Sequence, residues 1–284
     1  MEVNQETLEE AIRQAFEIPQ DATTISASLD GVMIPMQGNV VIPGDSRYEE
    51  ASCGSVTYYN DDGEALSTRR YGFMPEHKKQ TLKASLTQDI EFALSQRPDL
   101  QLLKIADGAK DNWTFLDDKL PEGKSILDFY HAAEHLKSAF EIAYGANDSK
   151  SCIEFGKYRS ILRHDERGID KVIAHLRYLT KKYPRKKGLT TELNYFINNK
   201  ARCHYAKMAR ANYPIGSGIV EATCKTLVTQ RMKRSGMSWK EKGGQAILTF
   251  RALLQSHLFD AGWKALSAEY CKEVKLPKNV VAFP

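Results

Sequence analysis

Apolar residues recur at two different periods along this 284-residue chain, and the switches between them mark out strands and helices. Leu8, Ile12, Ala15 and Phe16 fall at helical spacing and Pro19 closes the run, which predicts an opening helix over residues 1–19. TTISASL then alternates toward Asp30 and VMIPM continues it, while SVTYYN and the segment from Leu66 to Phe73 flank an Asn-Asp-Asp-Gly turn. Period-two runs on either side of such a turn predict a three-stranded antiparallel meander. Between Lys78 and Gln96 the apolar positions Leu82, Leu86, Ile90 and Ala93 return to helical spacing, and Pro98 ends the pattern. LQLLKIA reads as a buried strand reaching Asp107, KSILDF as a short strand reaching Asp128, and HAAEHLKSAFEIAYG as the next helix. The order β-β-β-α-β-α-β-α belongs to an α/β fold with a mixed sheet.

From residue 149 to 211 strand signals vanish, and Val172, Ile173, Leu176 and Leu179 indicate helices joined by basic loops. This segment reads as a helical insertion between a first core part, residues 20–148, and a C-terminal helical part, residues 212–284. YPIGSG is a loop, followed by a helix with Val220, Cys224, Leu227, Val228 and Met232 on one face and Glu221 at its edge. Ser238 and Glu241 have capping-box spacing before a last long helix bearing Ile247, Leu248, Phe250, Leu253 and Leu254.

Composition narrows the class. A 42% hydrophobic content supports a substantial core, and no run has the apolar length of a membrane span. The acidic, amphipathic N-terminus does not resemble a secretory leader, so the expected compartment is the cytoplasm. Five scattered cysteines without a C-x-x-C pair argue against a disulfide framework or zinc ribbon. The net charge of +4 does not by itself imply nucleic-acid binding, but KKYPRKK at 181–187 and RMKRSGMSWKEK at 231–242 concentrate the positive charge. Taken alone each patch is equally a solvated surface, and nearness to the carboxylate at Glu221 tips the second toward phosphate contact.

Asp30 in SASLDGVM, Asp107 in LLKIADGAKDNW and Glu221 in YPIGSGIVEATCK are the leading candidates for chemistry. Each lies where a strand or turn meets a helix, and hard oxygen ligands of this number suit Mg²⁺ or Mn²⁺. Each has a structural alternative: an Asp-Gly hairpin turn at Asp30, a helix cap at Asp107, and at Glu221 the favourable helix N-terminus with Lys225 one turn on as an ion-pair partner. A competing constellation lies in DFYHAAEH, where His131, Glu134 and His135 form H-x-x-E-H, an inverted zincin pattern. It makes a zinc metallopeptidase the second reading. Ser217 is not in a nucleophile elbow, because G-x-S-x-G would need glycine where Ile215 stands.

LDGVMIPM, ADGAKDNW, ILDFYHAAEHL and PIGSGIVEATCKTLVTQRMKRSGMSW, followed by AILTFRALLQSHLFDAGW, resemble transposases of bacterial insertion sequences of the ISKra type, over residues 24–264. These are similar to the Mutator-like DDE transposases. The resemblance implies a ribonuclease-H-like five-stranded mixed sheet, three antiparallel strands then two parallel, interrupted by an all-helical insertion. It places Asp30, Asp107 and Glu221 as the catalytic, metal-binding triad with two Mg²⁺ or Mn²⁺ ions, and matches Asp128 and His131 to a C/D-x-x-H motif with a structural and DNA-side role. His131 would donate to a phosphate, orient Asp107 or pack against the insertion. The implied activity is metal-dependent DNA cleavage and strand transfer. Implied partners are transposon-end and target DNA and a second copy of the chain or more, near the nucleoid. Lys225, Arg231, Lys233, Arg234, Lys182, Arg185 and Lys186 are the expected DNA contacts, and Trp113 and Trp239 are core aromatics or stack on a splayed base. About two dozen residues precede the first strand, where the family usually has an end-recognition region, so a catalytic fragment, one frame of a split element or an inactive, inhibitory product is also expected.

Overall fold

A computed structural model describes residues 5–37 and 48–271 of the chain. Helix α1 (Gln5–Ala15) is followed by strands β1 (Thr24–Pro35), β2 (Tyr48–Tyr59) and β3 (Ala65–Phe73), then α2 (Gln80–Gln96), β4 (Gln101–Ala106), α3 (Lys110–Lys119), β5 (Lys124–Leu127) and α4 (Phe129–Tyr144). The strands form one sheet in the order β3-β2-β1-β4-β5. β1 to β3 pair antiparallel, whereas β4 and β5 run parallel to β1. This is the ribonuclease-H-like mixed sheet that the resemblance implies.

The alternation in TTISASL does not mark a wet face. Every residue from Thr24 to Leu29 is buried, Ser26 and Ser28 included, because β1 is central and both faces of the sheet are covered. Nor is Asp30-Gly31 a turn: β1 runs on to Pro35 with β2 beside it throughout, Asp30 opposite Cys53. The chain reverses instead at Asn60–Gly63, where Gly63 takes φ +79° and the Asn60 side chain accepts bonds from the Asp62 and Glu64 amides. α2 starts at Gln80 rather than Lys78, since Lys78 and Lys79 are left-handed and the Glu76 carboxylate accepts from the Thr81 and Leu82 amides.

Four helices, α5 (Ser149–His164), α6 (Gly168–Lys182), α7 (Gly188–Asn198) and α8 (Tyr205–Arg210), fill the predicted insertion. Their apolar faces, with Leu162, Val172, Leu176 and Phe196, join the core under the sheet rather than forming one of their own. The next helix, α9 (Gly218–Thr223), passes through a π-helical turn at Cys224–Thr229 into α10 (Gln230–Met232). Val220, Cys224, Leu227, Val228 and Met232 are all buried, as their spacing predicts.

Two expectations fail in the C-terminal part. The Ser238–Glu241 capping box does not form. Residues around Trp239 are extended, the Trp239 amide bonding the Pro35 carbonyl and its carbonyl accepting from Gln37, so α11 (Glu241–Gln255) begins after Lys240 without a side-chain cap. α11 is not the last helix either: His257 turns left-handed and α12 (Phe259–Tyr270) follows, leaving Phe250 and Leu254 exposed. Residues 1–4 and 272–284 of the predicted terminal parts lie outside the described residues.

Candidate metal centre

Three neighbouring strands deliver an aspartate to the same end of the sheet. Asp30 on β1 and Asp107 after β4 each stand two residues beyond the parallel pair Ser28–Ile105, and Asp128 directly follows Leu127, which pairs with Ala106. Asp128 is 0% exposed and works as a latch. Its Oδ1 accepts from the His131 amide at 2.7 Å, N-capping α4, while Oδ2 accepts from the Ser217 amide. The Phe129 amide adds a bond to the Ile215 carbonyl at 3.0 Å, so the YPIGSG loop is fastened to the end of β5. Gly216 is needed at this crossing, because a Cβ there would sit 2.8 Å from the Tyr130 ring. Ser217 then starts α9: its carbonyl takes the Glu221 amide and its hydroxyl lies 3.3 Å from Glu221 Oε1.

The result is a group in which ligand atoms of Asp128, His131 and Glu221 lie within 4.8 Å of one another. Among the described residues no other such group of three forms. An open cleft of about 430 Å³ is lined by Asp30, Tyr130, His131, Glu134, Glu221, Cys224, Lys225 and Thr229. Burial, then the negative charge of Asp128 and, more weakly, of Asp30, raises the Glu221 carboxyl above its ordinary value, partly opposed by His131.

The stability consequence has a definite sign. A carboxyl raised in the folded state favours folding below its unfolded value and loses that contribution as pH rises through the folded one, so at neutral pH ionised Glu221 is a cost to the metal-free fold. Glu221→Gln is therefore expected to melt higher than the parent at pH 7 in EDTA, with the difference vanishing near pH 4. An equal or lower melting temperature at pH 7 would contradict this electrostatic account.

Asp30 and Glu221 thus share one cleft. Asp107 is placed at the neighbouring strand end but does not line it: its Oδ1 accepts from the Ala109 amide and the Asn112 side chain, both at 3.1 Å, and its carbonyl holds the Trp113 indole. The bonding is that of an Asx turn, and α3 has Ala109 as its N-cap. The H-x-x-E-H pattern does not close. His131 faces the cleft with Nδ1 3.5 Å from Glu134, whereas His135 pairs with Glu192 of α7 at 2.6 Å and stacks on Tyr195. Lys225 lines the cleft and makes no ion pair with Glu221. Arg231 lies over Trp239, Arg234 bonds the Gln230 carbonyl, and Lys233, Lys182, Arg185 and Lys186 are exposed. Trp113 is buried, and the Trp239 indole is tied to the Met232 carbonyl, so both serve the fold.

Two contributors carried no sequence signal. The Ser217 amide is a backbone group. The Cys224 thiol lies 3.5 Å from Asp30 Oδ2, and its hydrogen bond with Cys53, burial and the Asp30 charge all push it up, so it remains a protonated donor to that carboxylate.

Asp30, Asp128, Glu221 and His131 are the side chains that could hold a divalent cation. The chemistry of the donor set is compatible with one: burial, then the charges of Asp128 and Asp30, raise the Glu221 carboxyl, a cost that a cation held among these groups would relieve. No family model and no curated protein matches the chain.

Proposed function

We propose that this cleft is the centre of a metal-dependent phosphoryl transfer on DNA, cleaving a strand and joining its end to another as in DDE transposases. The observation that carries the proposal is that Asp30, on the central strand, and Glu221, far along the chain, line one open cleft beside Asp128 and His131. Divalent metal bound there would supply charge neutralisation of the phosphate and a water or 3′-hydroxyl nucleophile at neutral pH. Asp30 and Glu221, both lining the cleft, would hold the cation. Asp107, at the adjoining strand end but outside the cleft lining, would join the acidic set only through the oxygen not engaged in its turn. Asp128 binds chiefly by fixing the helix that presents Glu221, and Cys224 orients Asp30 by donation. His131 donates to a phosphate oxygen across the cleft. Lys225, with Arg231, Lys233 and Arg234 further along the same segment, offsets the repulsion between phosphate and the acidic floor.

Incubation with supercoiled plasmid is the direct test. Conversion to the nicked circle is expected with Mn²⁺, more slowly with Mg²⁺, and not in EDTA. Protein that binds Mn²⁺ yet never nicks DNA, across a range of salt and pH, would sink the proposal.

A further inference from the structure

Some distance from the cleft, the helical insertion carries a cluster of aromatic rings and unneutralised cations. Tyr144 ends α4, Tyr178 is on the last turns of α6, and Tyr183 follows α6 directly. The Tyr144 and Tyr183 rings are 6.2 Å apart and edge-on, and Tyr178 is 52% exposed. Lys182 lies 5.5 Å from the centres of both the Tyr178 and Tyr183 rings, Lys150 is 4.7 Å from Tyr144, and Lys186 is 5.4 Å from Tyr183 while donating to the Ala143 carbonyl. None of the three lysines has a carboxylate partner among the described residues. Glu154, whose charge is felt at Tyr144, lies 3.8 Å from His175.

We infer that this cluster is a stacking platform for single-stranded nucleic acid, with the exposed Tyr178 ring taking a base and Lys150, Lys182 and Lys186 taking phosphates. The exposed Tyr178 ring, backed by the partly buried Tyr144 and Tyr183, distinguishes a single strand from a duplex, whose bases already stack on each other, and the cations supply the backbone attraction. An acidic peptide would use the lysines and leave the rings idle. Position supports the choice: Tyr144 is thirteen residues along α4 from His131, roughly 20 Å at 1.5 Å per residue, the length of about six stacked nucleotides. The two positions face different sides of α4, so a strand leaving the cleft would reach the platform by passing around the helix as well as along it. The inference rests on nucleic acid being the substrate of the cleft, but binding can be measured without chemistry.

The experiment is fluorescence anisotropy in EDTA, using the Asp30→Asn protein, a fluorescein-labelled thymidine 20-mer and a duplex of the same length. Tighter binding of the single strand is expected. Tyr178→Ala should weaken it by about tenfold, Tyr178→Phe should not, and Lys182→Gln should reduce the salt slope by about 0.7. Because Tyr178 is exposed, an unchanged melting temperature will confirm that the alanine variant is folded. Equal affinity for duplex, absence of single-strand binding, or indifference to Tyr178→Ala each overturns the platform. If plasmid is nicked and Tyr178→Ala binds the oligomer normally, the platform fails and the cleft stands; if Tyr178-dependent binding occurs without nicking, the reverse holds.

Discussion

Asp30→Asn and Glu221→Gln are each expected to lower Mn²⁺-dependent nicking of supercoiled DNA by on the order of 10³-fold, equivalent to several kcal/mol of transition-state stabilisation. Both changes keep the shape of the side chain and remove a charge from the cleft floor, so the loss should appear without unfolding. Asp30 is held in place by the strand pairing of β1 and by its bond to the Gly31 amide, and Glu221 by the Ser217 turn. Neither fixture depends on the charge. Lys225→Ala should cost far less, about tenfold, and that loss should shrink as salt is raised, because its contribution is attraction for phosphate and salt screens it. Asp107→Asn decides how the acidic set is completed: a loss as large as for Asp30→Asn confirms the aspartate after β4, and full activity transfers that role to Asp128. Nicking that persists in Glu221→Gln would remove the cleft from the mechanism.

The second large effect is on stability and lies on the far side of the sheet. Asp89 of α2 is 4% exposed, as is Arg69 of β3. Arg69 Nη1 meets Asp89 Oδ2 at 2.6 Å, Arg13 of α1 meets Oδ1 at 2.9 Å, and the Tyr71 hydroxyl donates to Oδ2 as well. Arg69 also pairs with Glu9 at 2.8 Å. One carboxylate therefore ties α1, α2 and β3 together, and burial, reinforced by that carboxylate, keeps the Tyr71 phenol protonated. Asp89→Ala leaves a buried guanidinium with only the partly exposed Glu9 opposite. About 3–5 kcal/mol of destabilisation is expected, a fall in melting temperature of roughly 10 °C. Replacing Arg69→Met and Tyr71→Phe together with Asp89→Leu should restore much of it, since the buried partners of the carboxylate are then removed with it and a well-packed apolar group carries no desolvation cost. A fall of under about 3 °C for Asp89→Ala would show that water or Glu9 already satisfies Arg69.

Periodicity and turn chemistry made the sheet legible. The Asn60–Gly63 reversal, the Leu82–Ala93 stripe and the two aspartate-ended runs of β4 and β5 are local features, and local features survive into the fold. What escaped was decided by partners elsewhere in the chain. Asp30-Gly31 has the composition of a hairpin turn, yet β2 pairs straight across it. Ser238 and Glu241 have the spacing of a cap, yet Trp239 is drawn out beside Met36. His131 and His135 are one turn apart, yet Glu192 of the insertion takes the second histidine away. Asp30 and Glu221 could be named in advance because acids beside glycine or at helix starts are conspicuous, and Asp128 and His131 because they lie in the DFYHAAEH stretch that the family resemblance also marks. The latch from Asp128 to the Ser217 amide could not, because a backbone donor leaves no trace in residue type.

The wide turn at Cys224–Thr229 has a consequence for the arm of the molecule beyond it. A π turn holds about one residue more than an α turn, and one residue is worth about 100° of rotation about the axis. Glu221 precedes this surplus residue and Arg231, Lys233 and Arg234 follow it. Their azimuth relative to Glu221 is therefore set by the surplus: at regular pitch the arginines would swing by more than a quarter-circle about the axis, with no change in anything upstream.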